Sequence, residues 1–404
     1  MSKNRGYISR NVLMTGFTSL FTDVSSEMLY PLIQAFVRAI TVSVGPVLGI
    51  MEGVAESLAS LLKVFSGYYS DVLKKRKFFT IFGYSLSSLS KVLFFIPSIA
   101  SIFFVRFFDK VGKGIRTAPR DALISESVPR TLLGKAFGFQ RAMDFTGAFM
   151  GSAVLYILIK YSFPYLNDVV YGKGVVSPKA FYPIFIIAII STVIGVVFLF
   201  FTKDEKVKEA DVKKEILKPT LNFRKYSKNL QIFFLAEFVF TLGNSSNQFL
   251  LLQSSSLIGG LSKVILMYML FNFVSAIFST FFGGLSDKKG RKRLMVFGYL
   301  LYAVVYLSFG FITPDRSYLL WLCWPLYGLY NAMTKGVEKA FVAETAPEHS
   351  KGTALGFYNT IVGIGLLPAS VIAGFLFVLS PCLVFIFGGV MALTASIMIW
   401  RLVD

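Results

Sequence analysis

The stretch GGLSDKKGRKR (residues 283–293) sets a glycine, Gly283, and an aspartate, Asp287, four residues apart, and basic residues follow the aspartate. The stretch GYYSDVLKKRK (67–77) repeats this order of glycine, aspartate and basic run in the first half of the chain. Because basic residues collect in the loops that follow membrane helices, both stretches are predicted to be such loops. Two equivalent loops far apart in the sequence suggest that the chain is a duplication.

A second pair of segments supports the duplication. ALISESVPRTLLGKAFGF (122–139) and AFVAETAPEHSKGTALGF (340–357) share seven residues at a constant spacing of 218 positions. Membrane proteins are often built from duplicated helix bundles, so this repeat indicates two homologous halves.

The composition is that of a membrane protein. Of the 404 residues, 55% are hydrophobic and 16% are charged, which excludes an ordinary soluble domain. Windows of about 20 residues predict twelve apolar helices, near residues 11–37, 43–70, 78–97, 99–118, 134–160, 181–202, 230–253, 262–284, 294–312, 317–343, 353–378 and 381–402. The expected fold class is an all-α membrane protein with twelve transmembrane helices in two pseudo-symmetric six-helix bundles. The predicted domains are an N-terminal bundle (1–202), a cytoplasmic linker (203–229) and a C-terminal bundle (230–404).

The net charge of +19 is distributed unevenly. An even number of helices puts both termini on one side, and most of the 41 Lys and Arg residues fall in the loops of that side. By the positive-inside rule, both termini are predicted to lie in the cytoplasm, in a multi-pass protein of the cytoplasmic membrane. The basic excess is interpreted as contact with anionic lipid headgroups and not with nucleic acid.

The two glycine–aspartate stretches resemble known loops. Residues 283–292 are similar to the signature between helices 8 and 9 of the major facilitator superfamily, and residues 67–77 are similar to its counterpart between helices 2 and 3, with Lys74 in place of a second glycine. The segment DKVGKGIRTAPRD (109–121) resembles the end of helix 4 in a branch of prokaryotic permeases that includes uncharacterised, metal-resistance and drug-resistance members. The resemblance covers the whole chain and implies a secondary active transporter that works by alternating access, not an enzyme.

A conformational gate is expected at these loops. An acid at a helix end can pair with cations or with a helix N-terminus of the other bundle, and so hold one arrangement of the two bundles. Pro119 is expected to end helix 4 and to leave the charged residues around it at the cytoplasmic edge. The predicted gate residues are Gly67, Asp71, Arg76, Asp109, Arg116, Arg120, Asp121, Gly283, Asp287, Gly290 and Arg291.

Ionisable residues inside the apolar spans are candidates for ion coupling, because a charge is costly in a membrane. The proton-coupling candidates of the N-terminal half are Asp23, Glu27, Glu52, Glu56, Arg141 and Asp144. The i,i+4 spacing puts the two acids of helix 1 on one face and those of helix 2 on another. Movement of Arg141 toward or away from Asp23 or Glu56 is predicted to switch proton affinity. The alternative is a set of static ion pairs that hold the helices together.

The corresponding positions of the second half are uncharged. Glu27 corresponds to Asn247, and Arg141 corresponds to Asn359. The charge is therefore predicted to be one-sided, with proton coupling in the N-terminal bundle and neutral contacts to substrate in the C-terminal bundle. The substrate-cavity candidates are Asn244, Asn247, Gln248, Asn272 and Asn359.

The acids favour export of a cationic or amphipathic compound in exchange for protons. A divalent metal is an alternative, although the single histidine, His349, lies in a loop and Cys323 and Cys382 have no partner, so the metal ligands are unknown. An anionic substrate, or a non-transporting sensor or lipid-moving protein, also stays open. The expected partners are a small molecule or ion, protons and membrane lipids, with no nucleic acid. No cofactor is expected, and the chain is expected to be a monomer.

Overall fold

The computed structural model describes residues 9–38, 59, 62–163, 177–204, 224, 226–244, 247–258, 261–347 and 350–401. The predicted sites Glu52, Glu56 and His349, and most of the predicted linker, lie outside these residues. The helices of the first half are α1 (Arg10–Arg38), α2 (62–73), α3 (Arg76–Ser90), α4 (Ile99–Glu126), α5 (Leu133–Ile157) and α6 (Tyr182–Phe200). Those of the second half are α7 (Lys228–Gly243), α8 (Asn247–Ile258), α9 (Leu261–Lys289), α10 (Arg291–Phe311), α11 (Leu320–Thr345), α12 (Lys351–Leu379) and α13 (Pro381–Trp400).

Long apolar helices make up most of this architecture. Seven helical segments in the described parts of the chain are long and apolar enough to cross a membrane. Large hydrophobic side chains on their outer faces are exposed, as at Phe200, Phe297 and Phe375. Since lipid tails and not water would cover such side chains, these faces fit a multi-pass membrane protein.

The two halves repeat the same packing. In the first half, α1 packs against α5 and α6, and α3 packs against α4. In the second half, α7 packs against α12 and α13, and α10 packs against α11. Where the halves meet, α5 packs against α9 and α11, and α12 packs against α4. The described helices therefore form two six-helix bundles related by a pseudo-two-fold axis, with α7 and α8 as the two parts of one interrupted span.

Helix α4 does not end at Pro119, so that prediction was wrong. It continues to Glu126 with Pro119 inside the helix. A proline removes one intrahelical hydrogen bond, but neighbouring helices can stabilise a membrane helix across it. All residues from Arg116 to Ser125 are buried, so other elements surround this part of α4 on every side. Arg116, Arg120 and Asp121 consequently lie between packed helices and not at a loop edge.

The predicted helix 7 (230–253) is interrupted in the middle. Helix α7 ends at Gly243, Asn244 has a non-helical backbone (φ −89°, ψ 72°), and α8 begins at Asn247. The hydroxyl of Tyr302 donates a hydrogen bond to the carbonyl of Gly243 at 3.1 Å. This hydroxyl replaces a backbone donor that the helix would otherwise supply.

Several basic residues at or near the ends of predicted spans lie well inside helices. Lys110, Lys113, Arg116 and Arg120 are part of α4, and Lys335 and Lys339 are part of α11. The remaining loop residues keep the same excess of Lys and Arg on one side. The prediction that both termini are cytoplasmic therefore rests on the loops alone.

Cysteine labelling tests this orientation. In a background where Cys323 and Cys382 are replaced by serine, Asp315→Cys should react with a membrane-impermeant maleimide in intact cells, because Asp315 lies in the exposed turn between α10 and α11. Lys288→Cys, at the exposed end of α9, should react only after permeabilisation. The reverse pattern would place both termini outside the cell.

Candidate functional site

Asp71, at the end of α2, caps the first turn of α12 in the other bundle. Its carboxylate accepts hydrogen bonds from the backbone N–H of Gly352 (3.2 Å) and Thr353 (2.7 Å) and from the Thr353 hydroxyl (2.5 Å). The N-cap residue of α12 itself, Ser350, makes no side-chain capping bond. A helix N-terminus carries unpaired N–H donors and a partial positive charge, so a carboxylate is a favourable partner there.

Asp287, at the end of α9, makes the equivalent contact in the opposite direction. It accepts hydrogen bonds from the backbone N–H of Gly134 (2.9 Å) and Lys135 (2.8 Å) in the first turn of α5. Helix α5 also lacks a side-chain cap of its own, because its N-cap is Leu132. Each bundle therefore supplies the acid that caps a helix of the other bundle.

An arginine and a glutamate support each acid. Arg76 pairs with Asp71 (2.7 Å) and donates through two nitrogens to Glu126, at 2.7 Å each. Arg291 pairs with Asp287 (2.7 Å) and with Glu344 (2.6 Å). Glu126 and Glu344 are equivalent residues of the repeat, which explains why both halves retain them.

Glycines allow the bundles to approach closely at these caps. A Cβ atom added to Gly67 would overlap the carbonyl of Gly352, and one added to Gly283 would overlap the carbonyl of Gly134. The end of the protein that contains both caps is called the gate end below. In this structure the two bundles are in contact across the gate end.

The two loops use different residues for the same turn. Gly290 has a positive φ of 93°, which favours glycine. Lys74, its counterpart, has a φ of 54° and is the non-glycine residue with positive φ among the described residues. The turn is thus retained in the first loop, at a cost of about 1 kcal/mol for a side chain in the left-handed region.

A third contact joins the bundles at the pseudo-two-fold axis. The ammonium of Lys339 on α11 forms a short ion pair with the carboxylate of Asp121 on α4, and both side chains are almost fully buried. These two residues are 218 positions apart, the spacing of the internal repeat. A residue and its own symmetry counterpart therefore pair with each other, with opposite charge.

A hydrogen-bonded chain extends from this pair into the N-terminal bundle. Arg120 pairs with Asp121 at 3.0 Å and donates to the hydroxyls of Ser19 and Tyr84, at 3.0 Å each. The Gln140 amide donates to Ser19 (2.6 Å) and to Asp144 (3.1 Å). The interface between the bundles is thus connected to Asp144, one of the predicted coupling residues.

Asp144 links two groups of predicted coupling residues. It pairs with Arg141 at 3.1 Å on α5 and lies within electrostatic range of Asp23 on α1. Asp23 and Glu27 are partly exposed, although α1 is a membrane-spanning helix. Arg141 also acts electrostatically on Asp121 and Lys339. The predicted approach of Arg141 to Asp23 is not made in this arrangement, because the guanidinium is paired with Asp144 on its own helix.

Two predicted gate residues lie away from the gate end. Arg116 donates to the hydroxyl of Ser87 (2.5 Å) and stacks over the ring of Tyr84 at 4.2 Å. The backbone carbonyl of Asp109 accepts from Ser87 at 3.1 Å. These contacts stay within the N-terminal bundle, because α4 extends well beyond the predicted end and places both residues deep in the helix.

The predicted substrate-cavity residues are spread along the C-terminal bundle. The Asn247 carbonyl accepts from Tyr327 at 2.9 Å, and Asn244 lies in the break between α7 and α8. Asn272 and Asn359 each donate to a backbone carbonyl one turn earlier in their own helices, at 3.1 Å and 2.7 Å. The side chain of Gln248 lies outside the described residues.

The expectation that charge is confined to the N-terminal bundle was wrong. Buried in the C-terminal bundle are Glu237 on α7 and Glu338 on α11, with Lys335 between them at 3.9 Å and 3.4 Å. Glu338 and Lys335 were not predicted as site residues. The repeat contained the signal, because Arg120 and Asp121 correspond to Glu338 and Lys339 at the spacing of 218.

The fold, with two helix bundles in contact at the gate end, is that of a membrane transporter. The family model of the Major Facilitator Superfamily matches residues 15–258 and, in a second copy, residues 233–404. Together these matches cover nearly the whole chain. The chain belongs to the major facilitator superfamily, and it is a transporter, not an enzyme.

Relatives and solved structures agree with this family. An uncharacterized MFS-type transporter of Methanocaldococcus jannaschii is 35% identical over 412 aligned residues, which cover 98% of this chain and 96% of the relative. The quinolone resistance protein NorA of Staphylococcus aureus is 29% identical over 122 residues, 30% of this chain and 31% of that protein. The proton:xylose symporter XylE has a TM-score of 0.78 at 16% identity, over 100% of this chain and 97% of that one. The human organic anion transporter MFSD10 has a TM-score of 0.77 at 14% identity, over 96% of this chain and 99% of that one.

Removal of a capping acid should open the gate end. Asp71→Asn weakens charge-assisted hydrogen bonds worth about 1.5–3 kcal/mol, which corresponds to a shift of about tenfold or more in the population of the closed gate. Spin labels on Lys75→Cys and Lys288→Cys, in the background without native cysteines, should report this shift as a longer distance between the labels than in the protein with Asp71. Asp204→Asn is the matched control, since among the described residues Asp204 accepts its hydrogen bond from the Lys77 N–H of the N-terminal bundle. Equal distance distributions in both variants would exclude a gating role for Asp71.

The Asp121–Lys339 pair should behave as a buried ion pair. Asp121→Leu alone leaves a buried ammonium with fewer partners, which should cost about 3–5 kcal/mol. The double variant Asp121→Leu with Lys339→Met removes both charges and should recover most of the loss. Thermal unfolding of the purified proteins in detergent measures both effects. A double variant no more stable than the single variant would show that the two charges do not depend on each other.

Proposed function

We propose that this transporter exports cationic or amphipathic compounds in exchange for protons. The observation that carries the proposal is the position of Asp23, a partly exposed residue about 20 Å from the gate end of α1, with the acids Glu27 and Asp144 near it. An acid so deep in a membrane-spanning helix avoids lipid by facing a water-filled space between the bundles. That space is the place where alternating access delivers substrate and protons.

The surroundings of Asp23 favour exchange between a proton and a cation. Asp144 and Glu27 add negative charge near Asp23, while Lys113 and Arg116 add positive charge. Because the neighbouring acids repel a negative charge on Asp23, binding of either a proton or a cationic ligand at Asp23 is favourable. Binding of one releases the other, which is the elementary requirement of antiport.

The gate links this exchange to conformation. Asp144 is connected through Gln140, Ser19 and Arg120 to the Asp121–Lys339 pair that joins the bundles. A change of charge at Asp23 acts on Asp144 and, through this chain, on the contact between the bundles. With the gate end in contact, we infer that the acids are reached from the opposite side, which the orientation predicted from the loops makes external.

Export rather than uptake is supported by a distant relative. The quinolone resistance protein NorA, similar over part of the chain, carries a name that denotes drug resistance. Metal export is the second candidate function. Among the described residues, no group of three or more His, Cys, Asp or Glu side chains is arranged to hold a metal ion. A metal site would therefore need residues outside the described ones, such as Glu52 and Glu56.

Proteoliposomes with an imposed pH gradient test the proposal. Ethidium, a fluorescent lipophilic cation, should be moved against its own gradient by the wild-type protein. Asp23→Asn cannot exchange a proton at this position and should lose gradient-driven movement while keeping downhill exchange. Asp204→Asn, at the exposed gate end, should behave as the wild type.

Two outcomes would contradict this proposal. Gradient-driven flux in Asp23→Asn equal to that of the wild type would exclude Asp23 as the coupling site. If ethidium and a panel of other organic cations show no flux under any gradient, cation export is excluded, and a sensor or lipid-moving role is favoured.

A further inference from the structure

A buried polar cluster in the C-terminal bundle has no role in the function proposed above. Four helices place its members at one depth, about 10–15 Å from the gate end. The members are Glu237 on α7, Tyr299 on α10, Lys335 and Glu338 on α11, and Tyr358 on α12. Both glutamates are fully buried, and we call them the C-terminal carboxyl pair.

The hydrogen bonds of this pair require more hydrogens than the hydroxyl groups supply. The Tyr299 oxygen lies 2.5 Å from Glu237 Oε2 and 3.0 Å from Glu338 Oε1. A tyrosine hydroxyl has one hydrogen, so it can donate to only one of these two oxygens. Two ionised carboxylates can only accept, and the second short contact would then lack a hydrogen. A proton on one of the two glutamates supplies it.

The balance of charge leads to the same conclusion. Two ionised glutamates beside the single ammonium of Lys335 would leave one uncompensated negative charge in a membrane-spanning bundle. Such a charge is costly, and a bound proton removes it. The phenol groups near the pair, Tyr299, Tyr330 and Tyr358, are neutral and add no positive charge.

The proton is assigned to Glu237, because the hydrogen-bond donors of the cluster stabilise the ionised form of Glu338. Glu338 Oε2 accepts from Tyr358 (2.6 Å) and from Lys335 (3.4 Å). Among the residues that the structure describes, Glu237 Oε1 has no hydrogen-bond donor, and Lys335 is 3.9 Å away from it. An unpaired oxygen costs less on a neutral acid than on a carboxylate. The resulting chain runs from Glu237 Oε2–H to the Tyr299 oxygen, and from the Tyr299 hydroxyl to Glu338 Oε1.

We propose that Glu237 and Glu338 share one proton, carried by Glu237 when the gate end is closed, and form the proton-binding site of the C-terminal bundle. Nothing in this assignment requires a substrate. The site lies next to the interface, because Lys339, which follows Glu338 in α11, pairs with Asp121 of the other bundle. Arg141 of the N-terminal bundle also lies within electrostatic range of Tyr358.

Its role in transport rests on the function proposed above. When Lys339 separates from Asp121, an unpaired ammonium is left beside Glu338 on the same helix. This positive charge favours the ionised form of the pair and therefore release of the proton. The side chain of Lys335 is 20% exposed, so the cluster reaches the space from which the proton can leave.

Infrared spectroscopy of the purified protein tests proton binding without transport. The C=O stretch of a protonated carboxyl group is distinct from carboxylate bands. At neutral pH, Glu237→Gln should lose one such band relative to the wild type, and Asp315→Asn, at an exposed position, should lose none. Tyr299→Phe, which removes the shared hydroxyl, should shift the same band. Superimposable wild-type and Glu237→Gln spectra in this region would overturn the proposal.

Unfolding temperatures provide a second test that remains valid if one variant folds poorly. Glutamine has the shape of a protonated glutamate, so Glu237→Gln should unfold near the wild-type temperature. Glu338→Gln removes the ionised partner of Lys335 and should unfold at a clearly lower temperature. A larger decrease for Glu237→Gln would mean that Glu237 is ionised and would reject the assignment.

Transport then separates this inference from the proposed function. If Glu237→Gln loses its carboxyl band but ethidium movement is unchanged, the proton site exists and its coupling role is wrong. If the band is unchanged while Asp23→Asn abolishes gradient-driven flux, the proposed function stands and this site does not.

Discussion

The structure depends on two carboxylates, each of which caps the first helical turn of a bundle to which it does not belong. Asp71 caps α12, and Asp287 caps α5. Neither helix has a side-chain cap of its own, so the separated bundles would leave these N–H groups to water. The contact between the bundles at the gate end is therefore stabilised by hydrogen bonds that separation of the bundles would exchange for hydrogen bonds to water, so their net contribution to the contact is small.

The contact between the bundles at the axis and the buried polar groups inside each bundle lie on the same two helices, α4 and α11. Near the pseudo-two-fold axis, two successive residues of α4 contact different parts of the protein. Asp121 contacts the other bundle, whereas Arg120 contacts the interior of its own bundle. The same division is found at Lys339 and Glu338. Since one backbone carries both residues, a shift of α4 or α11 at the interface also displaces the charged group inside the bundle.

The sequence predicted those parts of the structure that follow from periodicity and repetition. Two gate loops and the long apolar helices among the described residues could be predicted from glycine–aspartate spacing and hydropathy. The C-terminal end of α4 could not be predicted in this way. The rule that a proline ends a helix considers only the local sequence, and not the helices packed around Pro119. Lys335 and Glu338 were missed because charged residues near a predicted loop were taken as solvated. The correspondence of Glu338 with Arg120, and of Lys339 with Asp121, could be recognised only once the repeat was extended upstream of residue 122.

The opposite charges at the axis also decide which halves can associate. Two copies of the N-terminal half, arranged like the two bundles, would bring two Asp121 carboxylates together, and two copies of the C-terminal half would bring two Lys339 ammonium groups together. Both arrangements bury like charges, which is strongly unfavourable in a membrane. Only the mixed arrangement pairs them. The duplicated chain thus selects its own second half as partner and disfavours the symmetric dimer of either half.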